Sequence, residues 1–132
     1  MSRYDKPFVA WCDVKQELHY KESTPKFFEQ RQVWWCSLGV NIGHEEDGKG
    51  EEMVRPVVIL RKFNTHLFLA VPLTTKVKEN PYYVPIVFKE REQAVMVSHL
   101  HALSARRLQR RMGKLSVGDY LKVKAAVQRL LA

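Results

Sequence analysis

The chain is poor in cysteine and in long apolar runs, and each shortage excludes a class of protein. Its two cysteines, Cys12 and Cys36, form no CxxC pair, so we expect reduced structural thiols rather than a disulfide framework. No apolar run approaches the ~18–20 residues that span a bilayer. The N-terminal sequence MSRYDKPFVAWCDV lacks the apolar core of a signal peptide, so we expect a cytoplasmic protein with no membrane partner.

Acidic residues are also in deficit, at 14 against 22 lysines and arginines, which leaves a net charge of +8. A basic excess favours an anionic partner, and nucleic acid first, because phosphate binding releases counterions. The excess is concentrated in one run, which contains Arg106, Arg107, Arg110, Arg111 and Lys114. A solvated surface or an acidic protein partner would fit that run equally well. Charge alone therefore does not identify the partner.

Familiar motifs for nucleotides and metals are missing. The chain has neither the GxxxxGK[ST] loop of nucleoside triphosphate sites nor the HExxH motif of zinc sites. His99 and His101 would offer two ligands on one strand, without a nearby cysteine or carboxylate. The run from His44 to Asp47 matches no common metal spacing. We therefore predict no metal ion and no other cofactor.

Length and composition predict a single domain. With 45% hydrophobic and 27% charged residues, the balance is that of a globular protein rather than a disordered one. A chain of 132 residues can bury one substantial core. We expect residues 1–29 to form a helical extension and linker, and residues 30–132 to form the main fold.

Hydrophobic spacing and capping residues predict three helices. The first runs from Asp5 to about Tyr20 and carries apolar residues at roughly helical spacing, with Asp5 as its N-cap. A short helix is predicted over Ala105–Met112, ended by Gly113. The last is a terminal amphipathic helix after Ser116, where Ser116 caps and Asp119 reaches back to complete a capping box.

Between the helices, the sequence predicts a mainly β fold. Short apolar runs separated by turn signals indicate a small, strongly bent antiparallel sheet or barrel. Val57 to Leu60 is continuously apolar, as expected for a strand buried on both faces. The predicted strands are Gln32–Leu38, Pro56–Phe63, His66–Leu73, Tyr82–Phe88 and Ala94–Ser98.

One stretch, residues 33–60, combines the features of a binding site. Four of the chain's six glycines fall in its polar loop, where glycine permits sharp turns and close approach to a ligand. Arg55 opens the apolar strand that follows, and its rigid fork of donors can clamp a phosphate. Thr74 ends the apolar strand LFLAVPLTTK, where a hydroxyl can form a local backbone bond. If the two strands are neighbours, Arg55 and Thr74 reach one edge of the sheet and form a phosphate pocket.

Taken in order, these residues resemble the MazF/PemK (Kid) toxins of bacterial type II toxin–antitoxin modules. The resemblance runs from about Arg31 to the C-terminus, through WWxxLGxNxGxExDGKG, RPVVIL, VPLTTK, a serine-ended strand and xRRL…xxGKLS. The N-terminal helix with Trp11 and Lys15 is similar to an extension in one branch of the family. The resemblance implies a mainly β fold with helices, an SH3-like (CcdB/Kid-type) small barrel working as a homodimer. Family members cut single-stranded RNA at short sequences, inhibit translation and are restrained by a cognate antitoxin, here expected to be acidic.

The resemblance also implies roles for individual residues. Arg55 and Thr74 correspond to the arginine of the Arg-Pro pair and to the first threonine after the apolar strand, and both are predicted to be catalytic. His101 stands where the family commonly has an arginine, and its imidazole is hypothesised to shuttle a proton near neutral pH. The predicted substrate-binding residues are Trp35, Asn41, His44, Glu45, Lys49, Thr75, Lys76, Ser98, His99 and Arg107.

The expected reaction is attack of the RNA's own 2′-hydroxyl on the adjacent phosphorus, which needs charge stabilisation and proton transfer but no metal. Arg55 would stabilise the phosphoryl oxygens, and Thr74 would donate a further hydrogen bond. Two alternatives remain open. The related CcdB proteins share the barrel but inhibit DNA gyrase without cutting RNA. A catalytically weakened relative would bind nucleic acid without cutting it.

Overall fold

The computed structural model describes residues 6–20, 26–39 and 53–132. Along the chain, these residues form an α-helix, then a mainly antiparallel β structure, then a second α-helix. None of the described helices is long and apolar enough to cross a membrane. Two short 3₁₀ turns, Val97–His99 and Ala105–Arg107, flank the sixth strand. In chain order the elements are α1 Phe8–Tyr20, β1 Gln32–Ser37, β2 Val54–Lys62, β3 Leu67–Thr74, β4 Tyr83–Phe88, β5 Arg91–Met96, β6 His101–Ser104, β7 Leu108–Lys114 and α2 Val117–Leu130.

The seven strands are ordered β4-β5-β3-β2-β1-β7, and β6 also pairs with β3. Every strand pair is antiparallel. One edge of β3 pairs with β2, while its other edge is divided: residues Leu67–Ala70 pair with β6, and Leu73–Thr74 pair with β5. The chain between β5 and β6 therefore runs past the point where the edge of β3 divides.

The central strands β2 and β3 are buried on both faces. All residues from Val57 to Leu60 are buried, which confirms the prediction from their continuous apolar run. Because successive strand residues face opposite ways, these two strands contribute to two separate apolar clusters. One cluster contains Val58, Leu60, Val71 and Leu73 with residues of β4, β5 and α2; the other contains Val57, Ile59, Phe68 and Ala70 with Phe28, Trp34, Cys36, Leu38, Leu103 and Leu108.

The terminal helix α2 forms where the sequence predicts it. The Ser116 hydroxyl accepts a hydrogen bond from Asp119 N at 3.2 Å, which satisfies one of the unpaired amides of the first turn. The carboxylate of Asp119 instead accepts from Val87 N at 3.1 Å, so it ties α2 to β4. Buried Tyr120 and Val123 form part of the apolar face of the helix.

The predicted helix over Ala105–Met112 is wrong. Only Ala105–Arg107 form a helical turn, and it is a 3₁₀ turn; Leu108–Lys114 form strand β7. This segment pairs with β1, including Trp34 with Arg111, and buries Leu108 completely. Pairing with β1 and burial of Leu108 thus override the helical preference of an arginine-rich run. Strand β6 was also not predicted.

Helix α1 forms as predicted, but its apolar stripe does not pack as expected. Phe8 remains 52% exposed and Cys12 is exposed, whereas Trp11 is the one buried residue of the helix. The predicted N-cap, Asp5, lies outside the described residues. The contact of α1 with the rest of the chain therefore depends mainly on one indole ring.

Tyr120 provides a test of the packing between α2 and the sheet. Its hydroxyl donates to Leu60 O at 2.7 Å, and the side chain is buried. Tyr120→Phe leaves that carbonyl without this donor and is expected to lower the free energy of unfolding by about 1–3 kcal/mol. Tyr20→Phe, at a residue 78% exposed, is the control and should change little. Urea unfolding of both variants measures the difference; equal stabilities would contradict this role.

The buried hydroxyl of Tyr120 also predicts that the free energy of unfolding depends on pH. Burial raises the pKa of Tyr120 above its usual value, so the unfolded phenol ionises first as the pH rises above about 10. The unfolded state then binds fewer protons than the folded state, and stability falls with rising pH. Tyr120→Phe should lack this part of the alkaline fall, which urea titrations from pH 8 to 11 would measure.

Candidate functional site

The predicted neighbourhood of Arg55 and Thr74 follows from the pairing of β2 with β3. In this register Val57 lies opposite Pro72 and Val58 opposite Val71. The last paired residues are Val57 and Pro72, and the same register continued by two residues along each strand would bring Arg55 level with Thr74. The Arg55 side chain is 8% exposed, and its Nη1 donates to Leu73 O at 3.2 Å. The guanidinium is thereby anchored at the end of β3, directly before Thr74.

Thr74 ends its strand, and its hydroxyl forms a bond with the backbone that follows. Its Oγ1 accepts a hydrogen bond from Lys76 N at 3.2 Å, which is the local backbone bond that the sequence allowed. In this bond the hydroxyl acts as an acceptor, so its proton is not consumed by it. Thr75 and Lys76 follow the strand and are exposed.

A cleft of about 220 Å³ opens beside these strands. Val57 and Pro72 line it, and each is two residues from Arg55 or Thr74 along the same strand, so all four share one face of the sheet. The opposite wall is the segment that passes the divided edge of β3. The remaining lining residues are Leu38, Ala70, Ser98, His99, Leu100, His101, Leu103 and Arg107.

Four of the predicted site residues, Ser98, His99, His101 and Arg107, meet in this cleft. His101 lies on β6 opposite Ala70 and is exposed. His99 is half-buried, and its Nδ1 lies 3.2 Å from Ser98 Oγ. The cleft therefore combines hydroxyl, imidazole and guanidinium groups. Arg55 and Thr74 do not line it themselves, although Val57 and Pro72, two residues away on the same strands, do.

Strand β6 forms part of the cleft wall that lies opposite Val57 and Pro72. This strand has four residues, and it holds residues 101–104 against the first half of β3. After it, the Ser104 hydroxyl accepts from Arg106 N at 3.2 Å and starts the 3₁₀ turn that carries Arg107. From this turn, Arg107 Nη1 donates to Ser37 O at 3.2 Å, which brings its guanidinium across to β1.

Trp35 lies elsewhere. Trp34 is buried in the core, which confirms that one residue of the aromatic pair belongs there. Trp35 is half-buried and lines a separate, open cleft of about 480 Å³ with Val54, Gln109 and Arg110. The structure thus does not bring Trp35 into the cleft of His99, His101 and Arg107. The predicted substrate-binding residues Asn41, His44, Glu45 and Lys49 lie outside the described residues.

The described residues contain no group of three or more His, Cys, Asp or Glu side chains that could hold a metal ion. Cys36, which pairs with Arg55 across β1 and β2, is fully buried. Burial raises the pKa of its thiol to about 12, although Arg107 and Lys26 act in the opposite direction. At neutral pH this sulfur is therefore an uncharged core atom and not a nucleophile.

Thiol labelling tests that conclusion. A thiol reagent at pH 8 should label exposed Cys12 quickly, whereas buried Cys36 should react only after the protein unfolds. Cys12→Ser isolates the slow thiol and should show almost no labelling of the native protein within the time of the fast phase. Equal labelling rates for both cysteines in the folded protein would contradict the burial of Cys36.

Residues 29–131 match the sequence model of a known family, described as PemK-like, MazF-like toxin of type II toxin–antitoxin systems. The match covers most of the chain, from before β1 to the end of α2, and excludes α1. No curated protein matches the chain.

Solved structures share the fold. The chain is similar to MazF from Deinococcus radiodurans at 18% identity and a TM-score of 0.64, over 80% of this chain and 97% of that one. It is similar to an endoribonuclease from a mycobacterial species at 18% identity and 0.63, over 83% and 95%. A mycobacterial endoribonuclease in complex with its cognate antitoxin gives 20% and 0.61, over 80% and 95%. At these identities the likeness establishes the fold alone.

Proposed function

The chain belongs to the PemK-like, MazF-like toxin family of type II toxin–antitoxin systems, and we propose that it is an endoribonuclease toxin that cleaves single-stranded RNA. The observation that carries the proposal is the hydrogen bond from Arg55 Nη1 to Leu73 O, which holds the guanidinium at the end of β3, directly before Thr74. A cleft lined by two histidines and an arginine opens on the same face of the sheet. Cleavage of messenger RNA by this site would inhibit translation and growth.

In the proposed reaction the 2′-hydroxyl of the RNA attacks the adjacent phosphorus in line, leaving a 2′,3′-cyclic phosphate and a 5′-hydroxyl. Arg55 stabilises the negative charge that develops on the phosphoryl oxygens. Its bond to Leu73 O holds the guanidinium in place before substrate arrives, so little reorganisation is needed during the reaction. Thr74 donates a second hydrogen bond to the same phosphate.

Proton transfer is assigned to His101. Its exposed imidazole lies in the cleft on β6, within the same lining as His99 and Arg107. Imidazole is the side chain best suited to accept or donate a proton near neutral pH. Ser98, His99 and Arg107 bind the RNA beside the scissile phosphate, with Arg107 supplying positive charge.

The proposal includes two protein partners. A cognate antitoxin with an acidic segment would neutralise the toxin, since the chain carries a net charge of +8 and a relative of the same fold forms a complex with its cognate antitoxin. A second copy of the chain would complete a homodimer. Size-exclusion chromatography with light scattering would test the dimer on the purified protein.

RNA cleavage tests the proposed function directly. Purified protein incubated with a long single-stranded RNA and EDTA should give discrete fragments with 5′-hydroxyl ends, whose sequencing would also reveal the recognised bases. Inhibition of DNA gyrase without RNA fragments would instead support a CcdB-like toxin. RNA binding without fragments would support a catalytically weakened relative.

Arg55→Ala should lower the cleavage rate by about 10²–10³-fold, the usual effect of removing one donor to a developing oxyanion. Arg91→Ala removes the same charge from an exposed position on β5 and should cleave at the wild-type rate. Because Arg55 also bonds Leu73 O, thermal melts must accompany the assay. An unchanged rate for a folded Arg55→Ala variant rules out this assignment.

His101→Asn tests the proton shuttle. Loss of the imidazole should lower kcat and remove one limb of the pH–rate profile. His66→Asn replaces an exposed histidine in the β2–β3 turn and should keep the wild-type profile. If His101→Asn also keeps that profile, another group transfers the proton.

A further inference from the structure

Helix α1 lies outside the segment that matches the family, residues 29–131, yet it packs beside the cleft. Most of its surface faces solvent: Val9 is 80% exposed and Phe8 is 52% exposed. Trp11 is 7% exposed, and it forms a small apolar cluster with Met53 and the half-buried Val14 and Leu18. The helix is therefore seated on the rest of the chain through one aromatic anchor.

Trp11 packs first against the backbone of Gly39. A Cβ added at Gly39 would overlap the Trp11 ring, so the indole lies directly on the glycine. Gly39 also has a φ of +73°, a conformation that favours glycine. Leu38 N and Gly39 N both donate to Met53 O, at 3.0 and 3.1 Å. Trp11 thus covers the point where the end of β1 is bonded to the residue before β2.

Trp11 also contacts Arg107, which lines the cleft. Its guanidinium carbon lies 5.7 Å from the centre of the Trp11 ring, within the range of a cation–π contact. The same guanidinium donates to Ser37 O at 3.2 Å. An arginine side chain has many rotamers, and ordering it before RNA binds lowers the entropy lost on binding. The indole and the carbonyl together hold Arg107 in one orientation.

We propose that Trp11 is a positioning residue that holds Arg107 in the cleft to receive a phosphate of the RNA. Helix α1 then completes the substrate-binding cleft from outside the region that the family shares. This inference rests on the proposed function, because the ligand is the same single-stranded RNA. Trp11 itself touches no reacting atom and acts through Arg107.

Steady-state cleavage of a short single-stranded RNA that contains the wild-type cleavage site tests the proposal. Trp11→Ala should raise KM by about 2- to 30-fold, the range expected for loss of a cation–π contact, with kcat nearly unchanged. Trp11→Phe keeps an aromatic face over Arg107 and should recover part of the loss. Val9→Ala, on the exposed side of the same helix, should behave as the wild type.

A double variant separates positioning from general loosening of the fold. If Trp11 acts through Arg107, Trp11→Ala should add no further rise in KM when Arg107 is already alanine. Arg107→Ala should also reduce the salt dependence of RNA binding by about one phosphate contact. An equal rise in KM in both backgrounds, or a wild-type KM for folded Trp11→Ala, overturns the proposal.

Fluorescence anisotropy with the same RNA distinguishes failure of the proposed role of Trp11 from failure of the proposed function. A wild-type protein that binds RNA without cutting it would contradict the nuclease assignment, while Trp11→Ala would still be expected to weaken binding by the same 2- to 30-fold. Cleavage by the wild type together with unchanged KM and affinity for folded Trp11→Ala would overturn the role of Trp11 alone. A wild type that neither binds nor cuts RNA overturns both.

Discussion

The pairing of β2 with β3 is the constraint on which the rest of the structure depends. These two strands are buried on both faces and contribute to both apolar clusters, so their register fixes which side chains enter each cluster. A slip of one residue would move each side chain of the strand, Val57 and Val58 included, to the other face of the sheet. The same pairing brings the Arg55 guanidinium to Leu73 O, directly before Thr74, so the geometry of the candidate site follows from the packing of the core.

Placing an arginine at the end of such a strand has an electrostatic consequence. Arg55 is 8% exposed, and a charge in this position requires polar partners; Leu73 O supplies one of them. The reduced solvent contact would also strengthen the attraction between the guanidinium and any anion placed against it. Burial therefore costs desolvation but provides a donor that is already oriented when an anion arrives.

The sequence allowed prediction of those parts that local pattern determines. The apolar run at Val57 indicated a strand buried on both faces, and Ser116 marked the start of α2. Segments whose structure depends on a distant partner were not predictable in this way. The arginine-rich run after Ala105 is compatible with a helix until β1 pairs with it, and β6 is too short to show a pattern. The placement of His99 and His101 in one cleft with Arg107 depends on that missed strand.

Trp11 shows a further limit of pattern-based prediction. Helical spacing predicted a broad apolar stripe on α1. Trp11 instead packs on the backbone of Gly39, which has no side chain to form a sequence pattern. One ring can therefore seat a thirteen-residue helix while Phe8 remains 52% exposed. A contact of this kind depends on the approach of one side chain to one backbone position. For that reason an extension outside the shared family region can contact Arg107 in the wall of the cleft through Trp11 without changing the sheet that holds Arg55 and Thr74.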